Sequence, residues 1–255
     1  MNIVIIGAGR VGTALSMALN NSGHNILKVI SRSGKNTERL AGILGCEYGN
    51  KPVIPPASEV VIAAVNDDAL YSLMKEINIP DNTVIAHTAG SVGLEVFERH
   101  ITDFGVFYPL QTFTMGRDYD FHSIPLFIEA NNKKSHSVLK SLALTVSEKV
   151  FDLSSEKRRY LHLAAVFVCN FVNHMYYAGK EITGMAGMEF NVLLPLLEET
   201  LEKVYELGPE RSQTGPAIRN DKKTIEKHLD LLSFSPDLQK MYRVITGAII
   251  NKYTG

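Results

Sequence analysis

The first 150 or so positions alternate short apolar runs with stretches of helical periodicity. Ile3-Val4-Ile5-Ile6 is an unbroken apolar run ending at glycine, the pattern of a strand buried on both faces. Val11 to Leu19 then places Val11, Leu15, Ala18 and Leu19 on one side of a helix. The same reading predicts strands at Asn25–Ile30 and Val60–Val65 and helices at Asn36–Leu44 and Asp68–Ile77. Thr83–His87, Gly105–Tyr108, Leu126–Glu129 and Lys149–Asp152 continue the series as strands. Strands and helices alternating at this spacing predict a mostly parallel sheet covered on both faces.

From Ser155 onward β-branched clusters give way to helical periodicity. Helices are expected at Tyr160–Ile182, Asn191–Leu207, Thr224–Leu232 and Pro236–Tyr253. In the second of these, Leu193, Leu197, Leu201 and Val204 recur at helical intervals, and Pro195 stands near the start, where proline is tolerated. The expected plan is an α/β domain over residues 1–153 and an all-helical domain over residues 154–255.

Gly7, Gly9 and Gly12 of Gly7-Ala8-Gly9-Arg10-Val11-Gly12 satisfy G-x-G-x-x-G between an apolar strand and a helix. A dinucleotide needs the first glycine for a tight turn, the second for backbone approach to the pyrophosphate and the third for close helix packing. The helix N-terminus adds free N–H groups and partial positive charge. The first domain therefore reads as a Rossmann domain. An NAD site places Asp or Glu at the end of the second strand to hold the ribose 2′-hydroxyl, but here the chain has Ser31-Arg32-Ser33. An arginine between two hydroxyls suits a 2′-phosphate, so NADP is the expected cofactor. Ligands bind beyond the carboxyl ends of parallel strands, which makes Val65, Asn66 and Thr88 cofactor-lining candidates; the alternative for this stretch is ordinary capping, for example by Asp67.

Composition narrows the functional class. A formal net charge of −1 argues against a nucleic-acid partner held by bulk electrostatics. Cys46 and Cys169 form neither a disulfide framework nor metal-ligand spacing, so a reducing compartment and no metal are expected. The N-terminus runs straight into strand and glycine loop and reads as mature protein. No window reaches the roughly 20 apolar residues of a membrane span. A cytoplasmic protein is expected.

Beyond the glycine loop and Ser31-Arg32-Ser33, the segments Tyr108-Pro109-Leu110-Gln111-Thr112-Phe113 and Phe127-Ile128-Glu129 resemble a family of Rossmann-like proteins. That family carries a C-terminal domain of unknown function and is named as NADP oxidoreductases. The resemblance extends through His162-Leu163-Ala164-Ala165-Val166-Phe167-Val168-Cys169-Asn170, Leu194-Pro195-Leu196 and Thr214-Gly215-Pro216 with Arg219 and Asp221. The family commonly has proline where Asn66 stands and glycine where Asn220 stands. More distantly, the plan is similar to pyrroline-5-carboxylate reductase, ketopantoate reductase and the β-hydroxyacid dehydrogenases. The resemblance implies a helical C-terminal domain of the 6-phosphogluconate-dehydrogenase-like type that serves substrate binding and homodimer formation.

Hydride transfer to C=N or C=O asks the protein for orientation and a proton source. On a uniform helix Arg158, His162, Asn170, Asn173 and Tyr177 share an arc of about 120°. Such a stripe either faces a wet cleft or bonds a neighbouring loop. His162 is the proton-donor candidate, against a core histidine satisfied by backbone. Asn170 is the second catalytic candidate, by similarity to the asparagine of the β-hydroxyacid dehydrogenases, against a helix-packing amide. Lys157 stands too early for the lysine of those enzymes. Gln111 and an Arg219–Asp221 turn are further possible substrate contacts. The function expected is NADP-dependent reduction of a small imine or keto compound. The alternatives are a non-catalytic NADP-binding protein that signals to a partner, and a deazaflavin-linked oxidoreductase.

Overall fold

The computed structural model describes residues 1–98 and 100–254. The chain forms two compact units that divide between Asn170 and Phe171.

The first unit begins with β1 (Asn2–Ile6), α1 (Arg10–Asn21), β2 (Asn25–Ile30), α2 (Gly34–Leu44) and β3 (Glu47–Gly49). It continues with β4 (Val60–Ala63), α3 (Asp67–Glu76), β5 (Val84–His87), β6 (Phe104–Pro109), β7 (Leu126–Ala130), α4 (Lys133–Leu144), β8 (Val150–Asp152) and α5 (Ser155–Ala165). The strands form one sheet in the order β3-β2-β1-β4-β5-β6-β7-β8. Every neighbouring pair is parallel except β6 with β7.

Burial explains the unbroken apolar runs. Ile3, Ile5, Val60 and Ile62 enter a core with α1, α2 and α4, while Val4, Ile6, Val61 and Ala63 enter a second core with α3. Both faces of these two runs are dry, which is why every position in them is apolar. Chain order reverses between β1 and β4, and their carboxyl ends are where such a sheet opens a ligand crevice.

Two elements escape the hydrophobic pattern. The edge strand β3 is short and partly exposed. Helix α4 opens on Lys133-Lys134-Ser135-His136, which masks its periodicity, and it is capped by Asn132, whose side chain accepts from Ser135 N at 2.9 Å. The expected boundary near residue 153 also differs from the division observed. Helix α5 belongs to the sheet unit because Arg158, 1% exposed, is buried there against β7.

The helix expected at Tyr160–Ile182 is a longer helical run interrupted in its middle. A π-helical segment, Val166–Phe171, separates α5 from α6 (Val172–Met185). The wider turn breaks the uniform 100° advance on which the five-residue polar stripe depended. The second unit continues with α7 (Leu194–Leu207), α8 (Lys222–Leu231) and α9 (Pro236–Thr254). Pro195 lies in the first turn of α7, as expected, and Phe190–Leu193 before it is a 3-10 turn. Ala178, Leu232 and Leu238 form its small core with Met241 and Tyr242.

Candidate active site

The glycine loop shows three different requirements for glycine. Gly7 has φ +110°, donates to Ile30 O at 2.7 Å, and leaves no room for a Cβ beside the Ala64 carbonyl. A Cβ at Gly12 would overlap the Gly7 carbonyl oxygen, so the helix packs directly on the loop. Gly9 is different: a Cβ there would meet nothing within 4 Å. Folding does not require that glycine, whereas a phosphate group brought against the loop does. Gly9 is also the N-cap of α1 and offers no capping side chain, and the first turn carries no acid. The N–H groups of that turn are left for an anion. Ala8 is buried, Arg10 is exposed and Val11 is half-buried.

At the end of β2, Ser31 N donates to Gly49 O at 3.0 Å and the Ser31 hydroxyl accepts from Ser33 N at 3.4 Å. Ser33 is the N-cap of α2 without using its side chain, and Arg32 is exposed with no carboxylate bound to it among the described residues. The segment presents one free guanidinium and one free hydroxyl beside a helix N-terminus that has no acidic residue in its first turn.

The end of β4 abuts the glycine loop, since a Gly7 Cβ would also come within 3.3 Å of Val65 Cγ1. Asn66, not Asp67, caps α3: its side chain accepts from Ala69 N at 2.9 Å. Asp67 instead accepts a short hydrogen bond from the Ser91 hydroxyl. Thr88 is buried past the end of β5, its N–H donating to Ala63 O at 3.2 Å.

The next group of polar side chains lies at the ends of β5 and β6, under α5. The Tyr108 hydroxyl and His162 Nδ1 are 3.1 Å apart, with the rings edge-on at 6.1 Å between centroids. Tyr108 is 8% exposed, and burial raises its pKa while the Arg158 charge partly offsets the rise. The phenol therefore keeps its proton near neutrality. His162 is half-buried and fits only because residue 90 is glycine, for a Cβ there would stand 2.5 Å from Nδ1.

One turn before His162, α5 is anchored by a buried charge pair. Arg158 bonds Glu129 Oε2 at 2.6 Å, the Val92 carbonyl at 2.5 Å and the Ser155 hydroxyl at 3.2 Å. Ser155 donates its N–H and hydroxyl to Glu129 at 2.9 and 2.6 Å. Burial pushes the Glu129 pKa up, but the bonds from Ser155 and Arg158 outweigh it and hold the carboxyl below its usual value. Buried ions of this kind persist only when paired; here the two terminal nitrogens of Arg158 are bonded, while its Nε has no hydrogen-bond partner among the described residues.

His87, fully buried at the end of β5, has its pKa pulled down to about 4, chiefly by burial and then by the Arg158 charge. Its Nδ1 accepts from Ala89 N at 3.2 Å, which leaves Nε2 as the protonated nitrogen; that atom has no partner of good geometry. His87 is a neutral structural imidazole, and the ring stacks on Phe97 at 5.6 Å.

Of the two catalytic candidates, His162 joins this cluster and Asn170 does not. Asn170 is exposed at the foot of the π segment, about 12 Å farther along the helical run. Arg158 is no cleft residue; it bonds neighbouring segments, the second of the two outcomes a polar stripe allowed. Gln111 is exposed and accepts from Thr112 N at 2.7 Å. The Arg219–Asp221 pair does not form. Asp221 caps α8 through Thr224, at 3.2 Å to its N–H and 2.8 Å to its hydroxyl, and Arg219 acts on it only at a distance. Gly90 and Glu129 are the members of the cluster that spacing along the chain did not single out. Their signals were a glycine just past a strand end and a polar residue on an otherwise apolar strand.

Residues 1–112 match the Rossmann-like domain, and residues 124–249 match the Domain of unknown function (DUF2520). No curated protein matches the chain. The crystal structure of a putative NADP oxidoreductase from Bacteroides fragilis superposes with a TM-score of 0.93 at 41% identity, covering 98% of this chain and 98% of that one. A protein from Thermotoga maritima superposes at 0.76 with 22% identity, over 96% of this chain and 99% of its own. The 1-pyrroline-5-carboxylate reductase of Streptococcus pyogenes does so at 0.63 with 14% identity, over 98% of both chains. The last two are likenesses of fold.

Proposed function

The chain belongs to the family that joins a Rossmann-like domain to the DUF2520 domain, and on that premise we propose that it is an NADP-dependent oxidoreductase reducing a small imine or keto compound. The observation that carries this reading is Gly9, a glycine that packing does not demand, at the uncapped start of α1. The first-turn N–H groups of α1 would hold the pyrophosphate, and Arg32 with the Ser31 and Ser33 hydroxyls would hold the 2′-phosphate. The name of the Bacteroides fragilis relative supports the same cofactor. Val65, Asn66 and Thr88, at the carboxyl ends of β4 and β5, would line the cofactor beyond the glycine loop.

NADPH supplies the hydride when bound. The chain supplies the proton: Tyr108 donates from its hydroxyl to the substrate nitrogen or oxygen, and His162, bonded through Nδ1, reprotonates it. Ordinary general-acid assistance of this kind contributes about 10²- to 10⁴-fold. Arg158 and Glu129 hold α5, and with it His162, in place.

Fluorescence titration with NADPH, NADH and a deazaflavin tests the cofactor. NADPH is expected to bind most tightly, with Arg32→Gln erasing its advantage over NADH; tighter NADH or deazaflavin binding overturns the assignment. Turnover of a panel of cyclic imines and 2-keto acids tests the chemistry. Activity that survives Tyr108→Phe overturns the proton donor. NADPH binding with no turnover of any panel member favours the signalling alternative.

Among the described residues no helix is long and apolar enough to cross a membrane. With both cysteines free, the cytoplasm is the compartment we assign. We also assign a homodimer formed by the helical unit. Leu196, Leu201 and Tyr205 on α7 are 60%, 54% and 81% exposed, an apolar display unusual for a monomer. Sedimentation at micromolar concentration is expected to show a dimer.

A further inference from the structure

A groove of about 430 Å³ runs between α1, α2 and the 114–121 loop of the first unit. Its volume is that of a small-molecule site. Its lining combines two chemistries, an apolar floor and a cationic rim. Met17 of α1 and Met115 of the loop make it apolar, and both are adaptable side chains. Around them stand three guanidinium groups, Arg10, Arg39 and Arg117, all exposed. No carboxylate lies within ion-pair distance of Arg10, Arg39 or Arg117 among the described residues. Arg117 lies over the Tyr119 ring, 5.9 Å from its centroid, and Asp118 is the single acidic residue of the lining. The groove is thus a net cationic rim over a deformable apolar surface, and it shares only Arg10 with the glycine loop.

We propose that this groove is a second small-molecule site, for an organic anion that joins one carboxylate or phosphate head to an aromatic or aliphatic body. The head is recognised by guanidinium groups, which are weakly hydrated and pair with either oxyanion in a planar fork. The body lies on the methionines. A neutral compound of the same shape forgoes the charge, and an inorganic anion forgoes the apolar contact.

Calorimetric titration of the full chain with phenyl phosphate and with 4-phenylbutyrate tests the site, using 4-phenylbutanol as the neutral control. Saturable binding of at least one anion is expected, one per chain, and at least 10-fold tighter than the alcohol. It is expected to persist in excess NADP and to weaken at least 10-fold in Arg39→Gln/Arg117→Gln. Met115→Glu, at an exposed loop position, is expected to weaken it similarly by placing a carboxylate against the anion and removing part of the apolar surface. Absence of saturable binding by both anions overturns the proposal, as does equal binding of the alcohol or binding unchanged in both variants. Complete displacement by NADP also overturns it, since the anion would then occupy the dinucleotide loop. Because the anions are titrated with and without NADP, a chain that fails to bind NADP refutes the proposed cofactor and leaves this site testable.

Discussion

His162 lies against the Cα of Gly90, and the same Nδ1 that a Cβ at residue 90 would approach to 2.5 Å is bonded to the Tyr108 hydroxyl at 3.1 Å. One missing side chain thus sets the position of the imidazole. Gly90→Ala is expected to push the ring away and break the pair while leaving NADPH affinity within about threefold. Overpacking of this size costs about 1–3 kcal/mol. Nitrogen NMR of the imidazole, comparing Gly90→Ala with the wild type and Tyr108→Phe, reads the change directly. An unaltered Nδ1 resonance would sink the idea that Gly90 seats His162.

Arg158 and Glu129 stabilise each other mainly against the cost of being alone. Arg158→Met leaves the half-buried Glu129 carboxylate without its cation but with its two bonds from Ser155, and a loss of about 3 kcal/mol, the low end for a broken buried pair, is expected in urea unfolding. The double variant Arg158→Met/Glu129→Gln is expected to recover part of that loss. Additive single losses would show that the two groups do not act as a pair.

His87 makes stability depend on pH. Unfolded, its imidazole takes up a proton near 6.5; folded, it does so only near pH 4. Between these values the unfolded state binds more protons, so the contribution is present above pH 6.5 and is lost as pH falls toward 4. The expected loss between pH 7.5 and pH 5 is about 2 kcal/mol. His87→Asn keeps an acceptor for Ala89 N and is expected to flatten the profile over that interval. A variant with the wild-type slope would place the effect elsewhere.

Asn220 sits in the left-handed region at φ +50°, in the turn where Asp221 N donates to Pro216 O at 2.9 Å. Asparagine tolerates this conformation and glycine prefers it, which accounts for the glycine that the resembling family carries at this position. Asn220→Gly is expected to shift stability by less than about 0.5 kcal/mol, and Asn220→Val to lower it by about 1–2 kcal/mol. Thermal unfolding of both variants is the check, and a neutral valine would remove the backbone argument.

The elements that carry the first unit were readable along the chain. Ile3-Val4-Ile5-Ile6 and Val60–Ala63 are apolar at every position because both faces are buried, and an apolar run reports that directly. The glycine loop was equally plain, since its three glycines answer a backbone path that spacing alone can encode. Helix α4 was not, because its first turn is polar and its buried Leu139 and Leu142 are too few to mark a face. The polar stripe misled for a related reason: periodicity assumes a uniform helix, and Val166–Phe171 is a π segment.

Periodicity and motif spacing are properties of neighbouring residues, so the chain on its own specified the doubly covered sheet, the dinucleotide loop and the basic, hydroxyl-rich end of β2. Partners are another matter. Tyr108 meets His162 across 54 positions, Arg158 meets Glu129 across 29, and Gly90 makes room for a ring on a helix that begins after β8. No local pattern carries such pairings, because each depends on where the sheet order and the antiparallel β7 deliver distant segments. Folding turned His162 from one of several polar residues on a helix into one half of a hydrogen-bonded pair, and left Asn170 outside it.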